Sequence, residues 1–241
     1  IYPTVTGKTI TGNLAAPLIS LNGADNVIID GRLNASGSSV DLTITNTSTS
    51  STSGTSTIRF INDATNNTIK YCLLKGSSVS ASGGGIIFLS TSSSGTVGND
   101  GNTIDRNNIT SDAAGRPVNV IFSSGTSGKA NSENTVSNNN IYNFLKHGTA
   151  SNGINIGSNT TAWTISSNSF YETSSFTPAA SVEYCIIRIN YGSGSNFNIT
   201  GNYIGGQAVG CGGSAWTKTG GYNNTFYAIF LNFDASNSVQ G

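Results

Sequence analysis

Five stretches of this chain say nearly the same thing: NNTIKYCLLKG (66–76), GNTIDRNNITS (101–111), ENTVSNNNIYN (133–143), AWTISSNSFYE (162–172) and NFNITGNYIGG (196–206). Each sets down an apolar anchor (Ile69, Ile104, Val136, Ile165, Ile199) and, three positions on, a small side chain (Cys72, Asn107, Asn139, Asn168, Asn202). Two positions further comes a second apolar anchor (Leu74, Ile109, Ile141, Phe170, Ile204). The first anchors are 35, 32, 29 and 34 residues apart. A fixed apolar–Asn–apolar core at such a period marks a stack of supersecondary units, none of which can bury its apolar face alone.

A second element recurs between these motifs: LISL (18–21), TIRFI (57–61), IIFL (86–89), VNVIF (118–122), INI (154–156), IIRIN (186–190) and AIFLNF (228–233). These runs are short, rich in β-branched and aromatic residues and bounded by Gly, Ser and Asn, so they predict strands. The Asn motif splits into two more strands, with the Asn at the corner between them, where a side chain that tolerates left-handed backbone is favoured. The opening residues fit the same scheme, with Thr9–Gly12 closing a preceding coil, Val27–Asp30 as a middle strand, Gly31 as its corner and Leu42–Thr45 as the third strand. Three strands per coil, one on each of three parallel sheets, predict an all-β right-handed parallel β-helix of six to seven coils. Going once around the axis supplies the crossover that parallel pairing needs. The domain reading is one β-helix over 1–241, with 1–31 as entry, 32–56 as an insertion and third strand, 57–205 as regular coils, 206–226 as a long excursion and 227–241 as the start of an incomplete coil.

Composition narrows the function classes. Eleven Lys and Arg balance eleven Asp and Glu among 241 residues, leaving no basic excess for a nucleic-acid partner. No apolar run reaches transmembrane length, and Ile1 opens no signal-peptide pattern, which suits a mature or excised segment. The chain stops at SVQG (238–241) without a polar cap, so a longer array or a covering neighbour is expected. Three cysteines (Cys72, Cys185, Cys211) and one histidine (His147) make neither a disulfide framework nor a zinc set, and no cofactor or metal is expected.

The repeat resembles the pectate-lyase-like parallel β-helix superfamily. The opening IYPTVTGKTITGNLAAPLISLNGADNVIIDGR, the NNTIKYC-type coils and AWTKTGGYNNTFYAIFLN resemble large secreted β-helix proteins of Bacteroidota, exported by the type IX route. That resemblance implies an extracellular or cell-surface location but no particular reaction, since one fold carries many functions.

Any chemistry on the faces of such a rod falls to the positions that strict alternation turns outward. On the first strand these are Ser20, Arg59, Ile87, Asn119, Asn155, Arg188 and Phe230, and then Asn22, Ile61, Leu89, Ile121, Gly157, Asn190 and Asn232. Neither column holds a carboxylate, so no catalytic residue is assigned. Asp105, Arg106, Glu183 and Arg188 are the candidates if active groups sit on loops, and Lys70 is expected beside Asp105 as an exposed ion pair of small energetic value. The corner residues Cys72, Asn107, Asn139, Asn168 and Asn202 read as a structural amide ladder. Ile61, Ile87, Leu89, Ile121 and Phe230 read as an outward apolar face, either covered by the loops 90–101 or 123–132 or available for lateral packing. Trp163, Trp216, Tyr171, Tyr203 and Tyr222 are candidates for stacking on sugars. Cys185 and Cys211 could pair in an oxidising compartment, and His147 reads as a solvated loop residue. Thr135 with Ser137, Thr164 with Ser166 and Asn198 with Thr200 approximate the hydroxyl arrays of ice-binding solenoids.

The expected function is a non-enzymatic extracellular structural or adhesive segment, with self-association or flanking domains of the same chain as partners. The alternatives are a polysaccharide lyase or glycosidase, a glycan-binding rod and, as a minor one, an ice-binding solenoid.

Overall fold

The structure is a computed structural model that describes residues 1–90 and 94–233. Part of the loop expected at 90–101, and the end of the incomplete coil expected at 227–241, lie outside the described residues.

Three parallel sheets form a right-handed β-helix. The first has seven strands: Pro17–Asn22, Ser56–Ile61, Gly85–Ser90, Asn119–Ser124, Ser151–Ile156, Glu183–Asn190 and Thr225–Asn232. The second has six three-residue strands: Ile28–Asp30, Thr68–Lys70, Thr103–Asp105, Thr135–Ser137, Thr164–Ser166 and Asn198–Thr200. The third has seven: Lys8–Gly12, Leu42–Asn46, Leu73–Gly76, Asn108–Ser111, Asn140–Tyr142, Ser169–Tyr171 and Tyr203–Ile204. Each strand pairs in parallel with its counterpart one coil away, and coils so paired rise by about 4.8 Å.

The repeat pattern translates directly into core columns. Ile29, Ile69, Ile104, Val136, Ile165 and Ile199 stand in one register on the second sheet. Ile10, Ile44, Leu74, Ile109, Ile141, Phe170 and Ile204 do so on the third. The side chains of the inner coils are fully buried, and burying each aliphatic is worth about 1.5–3 kcal/mol.

Both ends of the second-sheet strands turn by the same device, except at the end of Ile28–Asp30. A residue in the left-handed region is followed by one whose side chain enters the rod. After the strand the left-handed residues are Tyr71, Arg106, Asn138, Ser167 and Gly201. The residues that follow them are Cys72, Asn107, Asn139, Asn168 and Asn202. The left-handed backbone therefore falls one position earlier than expected, because the ladder residue needs an ordinary conformation to aim its amide inward. Each Asn Oδ1 accepts from the backbone N–H of the coil before it: Cys72 to Asn107 at 2.9 Å, Asn107 to Asn139 at 2.9 Å, Asn139 to Asn168 at 3.0 Å and Asn168 to Asn202 at 3.1 Å. The amide nitrogens donate along the same line and also to core carbonyls such as Ile69 O and Ile104 O. In the first coil Gly31 stands opposite Tyr71, and a Cβ there would lie 2.0 Å from Tyr71 O, so only glycine fits.

A second ladder precedes the strand. Asn66, Gly101 and Glu133 are left-handed, and Asn67, Asn102 and Asn134 follow them. Asn67 donates both its backbone N–H and its Nδ2 to Asn102 Oδ1 at 3.0 Å, and Asn102 does the same to Asn134. The next coil puts Trp163 in that slot, fully buried, with Nε1 donating to Asn131 O at 3.1 Å.

Candidate functional site

The faces of a rod are where chemistry would sit, and the first sheet sets its own register in an unexpected way. Its pairing skips one position in every coil, the one held by Leu18, Thr57, Ile86, Val120, Gly153, Ile186 and Ala228. There the strand bends, and two consecutive side chains turn inward: Ile86 with Ile87, Val120 with Ile121 and Ile186 with Ile187 are all fully buried. Alternation cannot be carried across such a bend, because a one-residue slip moves every following side chain to the other face. The expected apolar face is therefore corrected. Ile87, Leu89 and Ile121 are core residues at 0% exposure, in register with Ile58 and Phe60. Ile61 and Phe230 are half-buried and remain outside.

The outward column is Ser20, Arg59, Phe88, Phe122, Asn155, Arg188 and Phe230. Phe88 and Phe122 stack at 5.5 Å between centroids and are only 5% and 6% exposed, so they offer no open apolar surface. A polar chain continues from them. Asn152 and Asn155 both donate to Asn119 Oδ1 at 2.9 Å, Arg188 Nε donates to Asn152 Oδ1 at 3.0 Å, and Arg188 pairs with Glu183 while lying 4.7 Å over the Phe230 ring. Arg59 donates to Ser20 Oγ at 3.2 Å, its Nε is buried with no partner among the described residues, and burial lowers its pKa. The network fixes Arg188 in one pose with its charge matched, which suits a structural strap better than a proton-transfer group.

The other candidates do not converge on it. Asp105 lies on the second sheet, bonded to Arg106, to Ser137 at 2.8 Å and to Asn138 at 2.8 Å. Lys70 pairs with Asp30 at 3.5 Å, not with Asp105. The first middle strand sits one residue later than expected, putting Ile28 beside Thr68 and Asp30 beside Lys70. Asp30 is held by Arg32 at 2.6 Å, and hydrogen bonding from Arg32 outweighs burial to lower its pKa. Among the described residues no three His, Cys, Asp or Glu side chains group as a metal set, and no helix is long and apolar enough to cross a membrane.

The aromatic candidates separate. Trp163 is core, and Tyr171 is nearly buried and stacks on Tyr142 at 5.2 Å. Tyr203 and Tyr222 are exposed. Trp216 meets Phe226 edge-on at 5.6 Å beside a cavity of about 350 Å³ at the last coil, also lined by Phe176, Tyr184 and Ile204. All three cysteines are free, so Cys185 and Cys211 are not paired: Cys185 is buried and Cys211 exposed. Burial pushes the Cys72 thiol up to about 12 and the Cys185 thiol to about 11. The threonines do align, Thr68, Thr103, Thr135 and Thr164 standing in one register with Asn198. Their companion column reads Asp30, Lys70, Asp105, Ser137, Ser166 and Thr200, so charges break the hydroxyl array in its first half.

One group was invisible to column reasoning. Glu172 is buried in the turn between the third and first sheets, where Phe144 N and Leu145 N donate to Oε1 at 3.0 Å and Arg116 to Oε2 at 2.6 Å. Burial raises its pKa against the pull of Arg116. The Asn–Phe–Leu and Tyr–Glu pairs that build this turn lie in adjacent coils, but their offset from the strand anchors differs, so no fixed spacing exposes them.

The fold defines the class as a right-handed parallel β-helix. No family model matches the chain, and neither a curated protein nor a solved structure does.

Proposed function

We propose that this chain is a rigid, non-enzymatic, extracellular β-helix segment with a structural or adhesive role. The observation that carries the reading is the continuity of the core and the amide ladders. A fully buried apolar column and a hydrogen-bonded Asn line run through the inner coils, which suits a stiff spacer more than a hinged cleft. The inward columns of the outermost described coils support the same view: Ile10, Ile229 and Leu231 are 40%, 44% and 36% exposed, apolar surface that suits packing against a second copy. The resemblance of the opening and of the coils to large secreted β-helix proteins of Bacteroidota, within the pectate-lyase-like superfamily, supports the location at the cell surface. Incubation with uronic-acid polymers and with neutral glycans tests the reading. No new chain ends are expected, and their release in proportion to protein would overturn it.

A further inference from the structure

The long excursion at 206–226 is tied back to the rod rather than trailing away from it. Phe176 N donates to Thr217 O at 2.9 Å, Thr219 N donates to Phe176 O at 2.9 Å, and the Thr177 and Thr219 hydroxyls lie 2.6 Å apart. These bonds fix Trp216 at the last coil and leave the cavity of about 350 Å³ beside it. Its size falls within the range of small-ligand clefts, about 300–1,000 Å³. We propose that this cavity binds a small phenol, a single aromatic ring carrying one O–H donor.

The walls select a ring. Phe176 and Tyr184 meet edge-on at 5.2 Å, and Trp216 and Phe226 at 5.6 Å, with Ile204 and Ala228 between the two pairs in the lining. Aromatic rings prefer such edge-on or offset contacts, and a guest ring can make them with both pairs. Phe226 is 49% exposed, so a guest would also take apolar surface out of water.

Asn224 selects the donor. Its Nδ2 donates to Ala180 O at 2.8 Å and to Val182 O at 3.0 Å. The reversed amide would set Oδ1 against those two carbonyls, so its orientation is fixed. Oδ1 is then an acceptor in the cavity wall, buried and with no partner among the described residues. A buried acceptor of this kind calls for a donor. Tyr184 Oη cannot supply it, since it donates to Lys146 O at 2.9 Å. Lys218, the one charged residue of the lining, donates from Nζ to Tyr222 O and places a cation that favours the face of a ring. A sugar suits the cavity poorly, because several hydroxyls would leave water for one acceptor and apolar walls. An ionised carboxylate has no proton to give Oδ1. The proposal goes beyond the structural reading of the rod and does not rest on it.

The test is an NMR titration of the whole chain with phenol, toluene, benzoate and glucose. Phenol is expected to saturate, with shifts centred on the Trp216 indole N–H, Phe176 and the Asn224 side-chain amide. Toluene, which matches phenol in size but lacks the O–H, is expected to bind about tenfold more weakly, the loss of one hydrogen bond. Benzoate and glucose should also bind more weakly than phenol. Ala228→Leu fills the cavity and should abolish phenol binding, and Asn224→Ala should bring phenol down to the affinity of toluene. No saturation with phenol, shifts centred elsewhere, toluene, benzoate or glucose binding as tightly as phenol, or unchanged binding in either variant would each overturn the proposal. The comparison of probes on the unmodified chain decides even if a variant fails to fold.

Discussion

Asn139 Oδ1 accepts twice from Asn107, from its backbone N–H at 2.9 Å and from its side-chain Nδ2 at 3.1 Å, although 32 residues separate the two. One amide thus closes the corner of the coil before it, while its own Nδ2 donates to Ile104 O and to Asn168. No apolar residue of similar size does this, because the corner exposes a backbone donor to the interior in every coil.

Asn139→Ala strands both donors of Asn107 in a buried site. An unsatisfied buried donor costs about 1–3 kcal/mol, so the expected loss is at least that much, read as a lower urea midpoint. Asn202→Ala, at a half-buried position in the last coil, is expected to cost less. Equal small effects at both positions would show that the ladder contributes little.

Ile87→Ala empties a fully buried position and is expected to cost about 2–5 kcal/mol. Ile61→Ser, on the outer side, is expected to stay within about 0.5 kcal/mol. Ile86→Ala should behave like Ile87→Ala, which strict alternation forbids. Thermal unfolding of the three variants separates the bent strand from a straight one.

These residues also show what the sequence made legible. The rod, its sheets and the line of Asn107, Asn139, Asn168 and Asn202 follow from a repeat that survives changes in loop length. The first-sheet face does not, since Ile86-Ile87 and Val120-Ile121 look like alternation in either phase until the bend is known. The second ladder was present in the text as the Asn of NNT, GNT and ENT, but a pattern anchored on the apolar residue passes over the polar one before it. The buried Glu172 site was hidden for a different reason: Arg116, Leu145 and Glu172 come from turns of different coils, and only three-dimensional stacking brings them together.

Asp63 gives a pH-dependent contribution. Burial would raise its pKa, but donation from Thr96 N, Thr96 Oγ1, Val97 N and Gly98 N outweighs that and holds it below 3.8. A carboxylate with a depressed folded pKa stabilises the fold above its unfolded value and loses that contribution as pH falls through the folded one. Asp63→Asn should therefore melt below the wild type at pH 7, and the gap should narrow below about pH 3.8. A gap that stays constant with pH would exclude this role for the carboxylate.

The three thiols should differ sharply in reactivity. Exposed Cys211 is expected to react with a thiol reagent in the native protein, while Cys72 and Cys185, buried and with thiol pKa values pushed to about 12 and 11, should react only after unfolding. Quantifying one labelled thiol before and three after denaturation checks this. A Cys185–Cys211 disulfide in the native protein would contradict it.

The stacking of coils is tested most directly by a distance between spin labels at Lys70→Cys and Thr200→Cys in a Cys211→Ser background. The two positions share one outward column and stand four coils apart. At about 4.8 Å per coil their backbones are about 19 Å apart, despite 130 residues of intervening chain. A narrow distribution near that value, allowing for label length, is the predicted result. A broad distribution, or one centred beyond about 40 Å, roughly twice the predicted span, would contradict the rod itself.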